Sequence, residues 1–123
     1  MNKRELAIKN CFRAWIVKDI SLFLGSFADN VHYIESWGPA YRGAEQIAAW
    51  FTDWNKESDV LEWDIKAFFH IGDICICEWY FKWKSGGSID WFDGVSIVNF
   101  NGEDKITRLK EFQSKTPNNY PYR

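Results

Sequence analysis

Residues 27–54 read Phe-Ala-Asp-Asn-Val-His-Tyr-Ile-Glu-Ser-Trp-Gly-Pro-Ala-Tyr-Arg-Gly-Ala-Glu-Gln-Ile-Ala-Ala-Trp-Phe-Thr-Asp-Trp. Three backbone habits follow one another here. Asp29-Asn30 is a turn-forming pair, and residues 31–35 after it are a short β-prone run. Trp37-Gly38-Pro39 and Gly43 interrupt any regular element. From Gly43 a helix begins, because Ile47, Trp50, Phe51 and Trp54 recur at i, i+3, i+4 and i+7 and make one apolar face; it ends near residues 56–58. A strand that stops at Glu35 places one carboxylate within a few residues of Tyr33, Trp37 and Tyr41. That carboxylate is either a surface group or a polar group in an apolar hollow, and the functional reading turns on which.

Upstream, residues 3–18 keep helical spacing. Ile8, Cys11 with Phe12, and Trp15 with Ile16 share a face, while Lys3, Arg4, Lys9, Arg13 and Lys18 mostly lie elsewhere. Asp19 is placed to cap a second, short helix over residues 20–28, with Leu22, Phe23 and Phe27 apolar. After residue 60 the period changes from 3.6 to 2. Strands are expected over 61–71, 74–84, 88–100 and 105–115, separated by Gly72-Asp73, Ser85-Gly86-Gly87 and Asn101-Gly102-Glu103-Asp104. In the second of these, Cys75, Cys77, Trp79, Phe81 and Trp83 share one face and Ile74, Ile76, Glu78, Tyr80 and Lys82 the other. Gly94 inside the third marks a bulge or a close backbone approach. In the fourth, Thr107, Leu109, Glu111 and Gln113 lie opposite Ile106, Arg108, Lys110 and Phe112. The tail from Thr116 reads as irregular.

Three N-terminal helices followed by an antiparallel meander is an α+β layout. The helices must cover one sheet face. Both faces carry apolar or aromatic groups, so the other face calls for a cover of its own, most simply a second copy of the chain. The alternation leaves open which face lines a pocket.

The totals limit the function classes. The chain has 123 residues, enough for one domain over residues 1–123 with a core of its own. Its net charge is −2 and no basic cluster stands out, which argues against nucleic acid and anionic membrane surfaces as partners. No apolar run approaches the roughly 20 residues that span a bilayer. Residues 1–5 lead into an amphipathic pattern rather than a signal-peptide core, so a cytoplasmic protein is expected. The three cysteines, Cys11, Cys75 and Cys77, read as reduced core residues. Only His32 and His70 stand beside them as soft ligands, so no metal is expected. There is no Gly-x-Ser-x-Gly, phosphate loop or nucleotide fingerprint, and no cofactor is expected. Aromatic residues are abundant at 19%, with eight Trp and ten Phe. They imply a bulky core with an oligomer interface, a pocket lined with rings, or both.

The order of elements and several local phrases together resemble the nuclear transport factor 2-like superfamily, and within it the SnoaL-like (polyketide cyclase-like) proteins. The resemblance covers essentially the whole chain. It rests on Trp15…Lys18-Asp19-Ile20, Phe27-Ala28-Asp29-Asn30, Gly38…Tyr41-Arg42-Gly43…Ile47…Trp50-Phe51, Asp93-Gly94…Ile97 and Lys105-Ile106. It implies a cone-shaped, cystatin-like α+β fold in which three helices pack on a curved, mostly antiparallel sheet and enclose a pocket. It also implies a homodimer through the outer sheet face. The superfamily includes ketosteroid isomerase, which sets a carboxylate base beside tyrosine and protonated aspartate donors to an oxyanion. Aligned on Phe27-Ala28-Asp29-Asn30, Glu35 falls at the base. The tyrosine position is Cys11 and the aspartate position, counted back from Phe100, is Ser96, so those two donors do not carry over.

Glu35 is therefore the candidate base, either raised in pKa by desolvation or merely hydrogen-bonded at a strand end. Ser96, His70 and Tyr33 are the candidate donors; the ordinary reading of His70 is a partly exposed residue at a strand end. Tyr33, Trp37, Tyr41, Trp54, Trp63, Glu78 and Glu111 are candidate ligand contacts. Glu78 joins a pocket only if its strand face is the concave one, and the plain reading of Glu111 and Gln113 is a polar strand end. Asp90 and Asp93, an odd distance apart, cannot both point inward without a bulge. The first functional reading is a small-molecule-binding protein with cofactor-free isomerase- or cyclase-like acid/base chemistry on a small apolar substrate. The alternative is a non-catalytic ligand-binding or dimeric interaction domain.

Overall fold

Asn2 opens the first helix, its side chain accepting from the N–H groups of Arg4 and Glu5 at 2.9 and 3.1 Å. Helix α1 then runs Lys3–Val17 and turns through Lys18 in the left-handed region. Asp19 caps α2 by accepting from the Leu22 N–H at 3.0 Å. The computed structural model describes residues 2–122. It contains α1, α2 (Ile20–Leu24), α3 (Gly43–Glu57) and six strands: β1 (Phe27–Ile34), β2 (Ala40–Arg42), β3 (Ser58–Ile71), β4 (Ile74–Ser85), β5 (Ser88–Phe100) and β6 (Ile106–Ser114). No helix among the described residues is long and apolar enough to cross a membrane.

The strands form one sheet in the order β2-β1-β6-β5-β4-β3. All neighbours are antiparallel except β1 and β6. That parallel pair explains why α2 is shorter than its apolar spacing suggests. The Ile106 N–H donates to the Ser26 carbonyl at 2.9 Å, and Phe27 pairs with Ile106. Long-range pairing claims Phe27 for the sheet and ends the helix at Leu24. Strand β2 lies between Gly38-Pro39 and Gly43, where the breakers predict no regular element. Glu35 N–H donates to Pro39 O and Gly38 N–H to Glu35 O, and this tight turn returns residues 40–42 along β1, with Tyr41 opposite Tyr33. Gly43 then starts α3 with φ +82°, a value other residues rarely adopt.

The concave face is the Cys75/Trp79 face of β4. Cys75, Cys77 and Trp79 are buried there with Val98 and Leu109. Helix α1 packs Ile8, Cys11, Phe12 and Trp15 against them, and Phe12 stacks on Trp63 at 3.9 Å between ring centroids. Gly94 lies opposite Trp79 with no break in register. A Cβ at Gly94 would stand 2.2 Å from Trp79 Cη2, so the glycine marks a close approach and not a bulge.

Candidate functional site

Helix cover on the concave face stops part-way along β4. Cys75 and Cys77 are fully buried, whereas Phe81 and Trp83 on the same face are only half-buried. The uncovered end of the sheet is the wall of a cavity of about 400 Å³, within the range of small-molecule sites.

The wall is built mainly from indoles. Helix spacing delivers Trp15 from α1 and Trp50 and Trp54 from α3; strand alternation delivers Trp63 from β3 and Trp79 and Trp83 from β4. Trp37, in the turn after β1, stands at the rim and is 71% exposed. Seven of the eight tryptophans thus face one hollow. Trp15 is their hub, with its ring 4.6–5.4 Å from those of Phe23, Trp50, Phe51 and Trp54. These contacts hold the rings in fixed orientations and keep the hollow from collapsing.

The polar groups converge at one place. Glu111 of β6 points inward beside Ser96, its cross-strand partner. It is buried, and the Tyr33 hydroxyl donates to its Oε2. Glu35 follows β1 at the same level, and its Oε2 accepts from the Tyr41 hydroxyl at 2.7 Å. Both carboxyl groups line the cavity with Ser36 and Gln113. Burial pushes the Glu111 carboxyl up to about 8, and the charge of Glu35 adds to this, against the opposing pull of hydrogen bonds from Tyr33 and the Ser36 backbone. Burial also raises Glu35, by less, while hydrogen bonds from Tyr41 and Trp37 favour its ionised form. Tyr33 and Tyr41 are both held well above their ordinary value, first by burial and then by these carboxylates. Near neutral pH the pair therefore splits, with Glu111 protonated and Glu35 the more acidic partner.

Of the expected contacts, Glu35, Trp37, Trp54, Trp63 and Glu111 line this cavity. Tyr41 stacks on Trp50 at 4.5 Å and lines the shallow groove outside Glu35. Tyr33 is wholly buried behind Glu111. Three expected residues lie elsewhere. Glu78 is exposed on the outer sheet face, opposite Cys77 and Trp79 in the alternation. His70 pairs with Cys75 at the closed end of the sheet and bonds Glu5 of α1 at 2.6 Å. Ser96 is buried beneath the cavity, its Oγ accepting from Trp79 Nε1 at 3.0 Å. Trp15, Trp50, Trp83 and Phe92 were not singled out from sequence, although Trp83 shares the parity of Trp79 and Trp50 the helical face of Trp54. Among the described residues no group of three or more His, Cys, Asp or Glu is placed to hold a metal.

The sequence matches the SnoaL-like domain family over residues 8–109. No curated protein matches it. Solved structures share the fold at low identity. A Catenulispora acidiphila hypothetical protein with a ketosteroid isomerase-like fold, in complex with trimethylamine, superposes with a TM-score of 0.78 at 18% identity, over 89% of this chain and 85% of that one. An M. tuberculosis LEH-like epoxide hydrolase superposes with a TM-score of 0.81 at 14% identity, over 91% and 83%. A putative polyketide cyclase of Xanthomonas campestris gives 0.73 at 14% identity, over 91% and 90%.

Proposed function

Because the chain belongs to the SnoaL-like family, we propose that its aromatic cavity binds a small, largely apolar organic molecule and performs cofactor-free acid/base chemistry on it. The observation that carries this reading is the pair of unlike carboxyl groups, Glu35 and Glu111, on the wall of one apolar hollow. Two neighbouring acids whose environments separate their protonation supply a base and an acid side by side. Glu35, at the cavity mouth, takes the proton from a carbon beside a carbonyl. The electron pair of the broken C–H bond moves onto the carbonyl oxygen, and the Glu111 O–H, steadied by Tyr33, donates a hydrogen bond to that oxygen. Glu35 then returns the proton to another carbon of the same skeleton. Glu111 takes the donor role expected of Ser96, which is buried and does not line the cavity, and of His70, which lies at the other end of the sheet. A neighbour of this fold in complex with trimethylamine supports a ligand of small size.

The test is hydrogen–deuterium exchange at the α-carbon of a panel of small cyclic ketones in D₂O, followed by NMR. The protein accelerates exchange for at least one of them. Glu35→Gln lowers that rate on the order of 100- to 10,000-fold, and Glu111→Gln lowers it while the fold is kept. Full exchange by Glu35→Gln would remove Glu35 from the chemistry.

The second reading is a binding pocket without catalysis. It is favoured by the engagement of both carboxyl groups by tyrosine hydroxyls. Under it the panel binds and no exchange is seen. In either case we propose that two copies pair through the outer sheet face.

A further inference from the structure

We infer that the ligand of this cavity carries a small alkylammonium cation, held by the indole faces and the neighbouring carboxyl groups. The inference rests on the reading of the hollow as a ligand site and names the charge of what enters it. Fifteen Lys and Arg side chains are spread over the chain, yet among the described residues no Lys or Arg lines the cavity, and neither histidine does. The ionisable residues lining it are Glu35 and Glu111. The shallow groove outside shares Glu35, Trp37, Trp50 and Trp54 with the cavity, adds Asp53, and among the described residues is likewise without Lys, Arg or His. An incoming molecule therefore passes from a net negative mouth to a wall that offers carboxyl oxygens and ring faces.

Each class of ligand meets this wall differently. An anion would lose its hydration and find no cation to replace it. A neutral hydrocarbon would be welcomed by the rings but would leave Glu35 without a charge partner. An alkylammonium uses both features. Its alkyl groups displace water from apolar surface, and its diffuse charge is attracted to indole π faces, the strongest of the aromatic side chains in this respect. Glu35 supplies the counter-charge, and the protonated Glu111 offers its carbonyl oxygen to the cation. Only a weakly hydrated organic cation fits, because an inorganic ion would surrender water without enough oxygen ligands in return.

The experiment uses a neutral fluorescent probe and an isosteric pair. N-phenyl-1-naphthylamine reports whether the cavity admits an apolar molecule at all. Choline and 3,3-dimethylbutan-1-ol differ by N⁺ against C in the same shape, and each is titrated as a competitor. Choline is expected to displace the probe at least tenfold more effectively than the neutral alcohol, and the double variant Glu35→Gln with Glu111→Gln is expected to reduce that difference severalfold, the ring faces keeping the remainder. Equal competition by the two, or preference for the alcohol, overturns the cation inference and leaves the cavity reading standing. Failure of the probe to bind overturns the cavity reading and the inference with it.

Discussion

Glu111 shows how much one residue owes to its surroundings. The alternation of β6 gave its face, together with Leu109 and Gln113, but not its depth. Depth comes from Tyr33, brought alongside by the parallel pairing of β1 with β6, a contact between residues 78 apart in sequence. No local pattern encodes that distance, which is why Glu111 reads from sequence as a polar strand end. Its protonation has a consequence for stability. In the unfolded chain the carboxyl titrates near 4.5, and in the native protein near 8. Between those values the native state binds more protons than the unfolded state, so stability falls as pH rises, by up to about 1.4 kcal/mol per pH unit. The full loss is on the order of 5 kcal/mol above pH 8 and is absent below the unfolded value. Glu111→Gln, which keeps an acceptor for Tyr33, removes the slope and is more stable than the parent protein at pH 9. Urea unfolding at pH 5, 7 and 9 measures this. Parallel pH profiles for the two proteins would show that Glu111 is ionised when buried.

Elements differ in how openly the sequence declares them. The apolar stripe of α3 and the alternation of β4 and β5 are local periodicities, and the observed bounds follow them closely. Helix α2 and strand β2 are decided by partners elsewhere in the chain, so their spacing was a poor guide. Gly94 lies between these cases: its presence in a strand signalled an exception, and the neighbour that requires it, Trp79, sits on the adjacent strand. The ring lies against the Gly94 Cα and is tethered by its Nε1–H to Ser96. Gly94→Ala pushes that ring toward the cavity and strains the β4–β5 pair, at a cost of about 1–3 kcal/mol. Gly102→Ala, at an exposed turn with nothing within 4 Å of the new methyl, is the matched control. Thermal unfolding separates them: Gly94→Ala melts several degrees lower and binds the naphthylamine probe less tightly, and Gly102→Ala does neither. Equal melting temperatures would mean that Trp79 has room to move.

At the scale of the molecule, the outer sheet face is the surface left to explain. Phe69, Ile71, Trp91 and Phe112 are 44–66% exposed there, with Ile76, Val95 and Ile97 half-buried between them. An apolar sheet patch of this kind, interrupted by Glu78, Lys82 and Lys110, invites association. The free edge of the sheet does not compete well for the same role. Edge strand β3 breaks its register at two places, Val60/Glu62 and Ile65/Ala67, and carries Glu62, Asp64 and Lys66 exposed, features that discourage strand addition. In the proposed dimer the face meets the same face of a second copy, in a two-fold arrangement where each residue near the axis meets itself or its neighbours. Phe112 lies opposite Val95 on this face, so Phe112→Glu introduces a pair of like charges into an apolar contact and separates the copies. Sedimentation equilibrium is expected to give a dimer for the parent chain at micromolar concentration and a folded monomer for Phe112→Glu, with the cavity probe still bound. A parent chain that sediments as a monomer would assign the apolar face to a different partner, and a Phe112→Glu dimer would move the contact off this face.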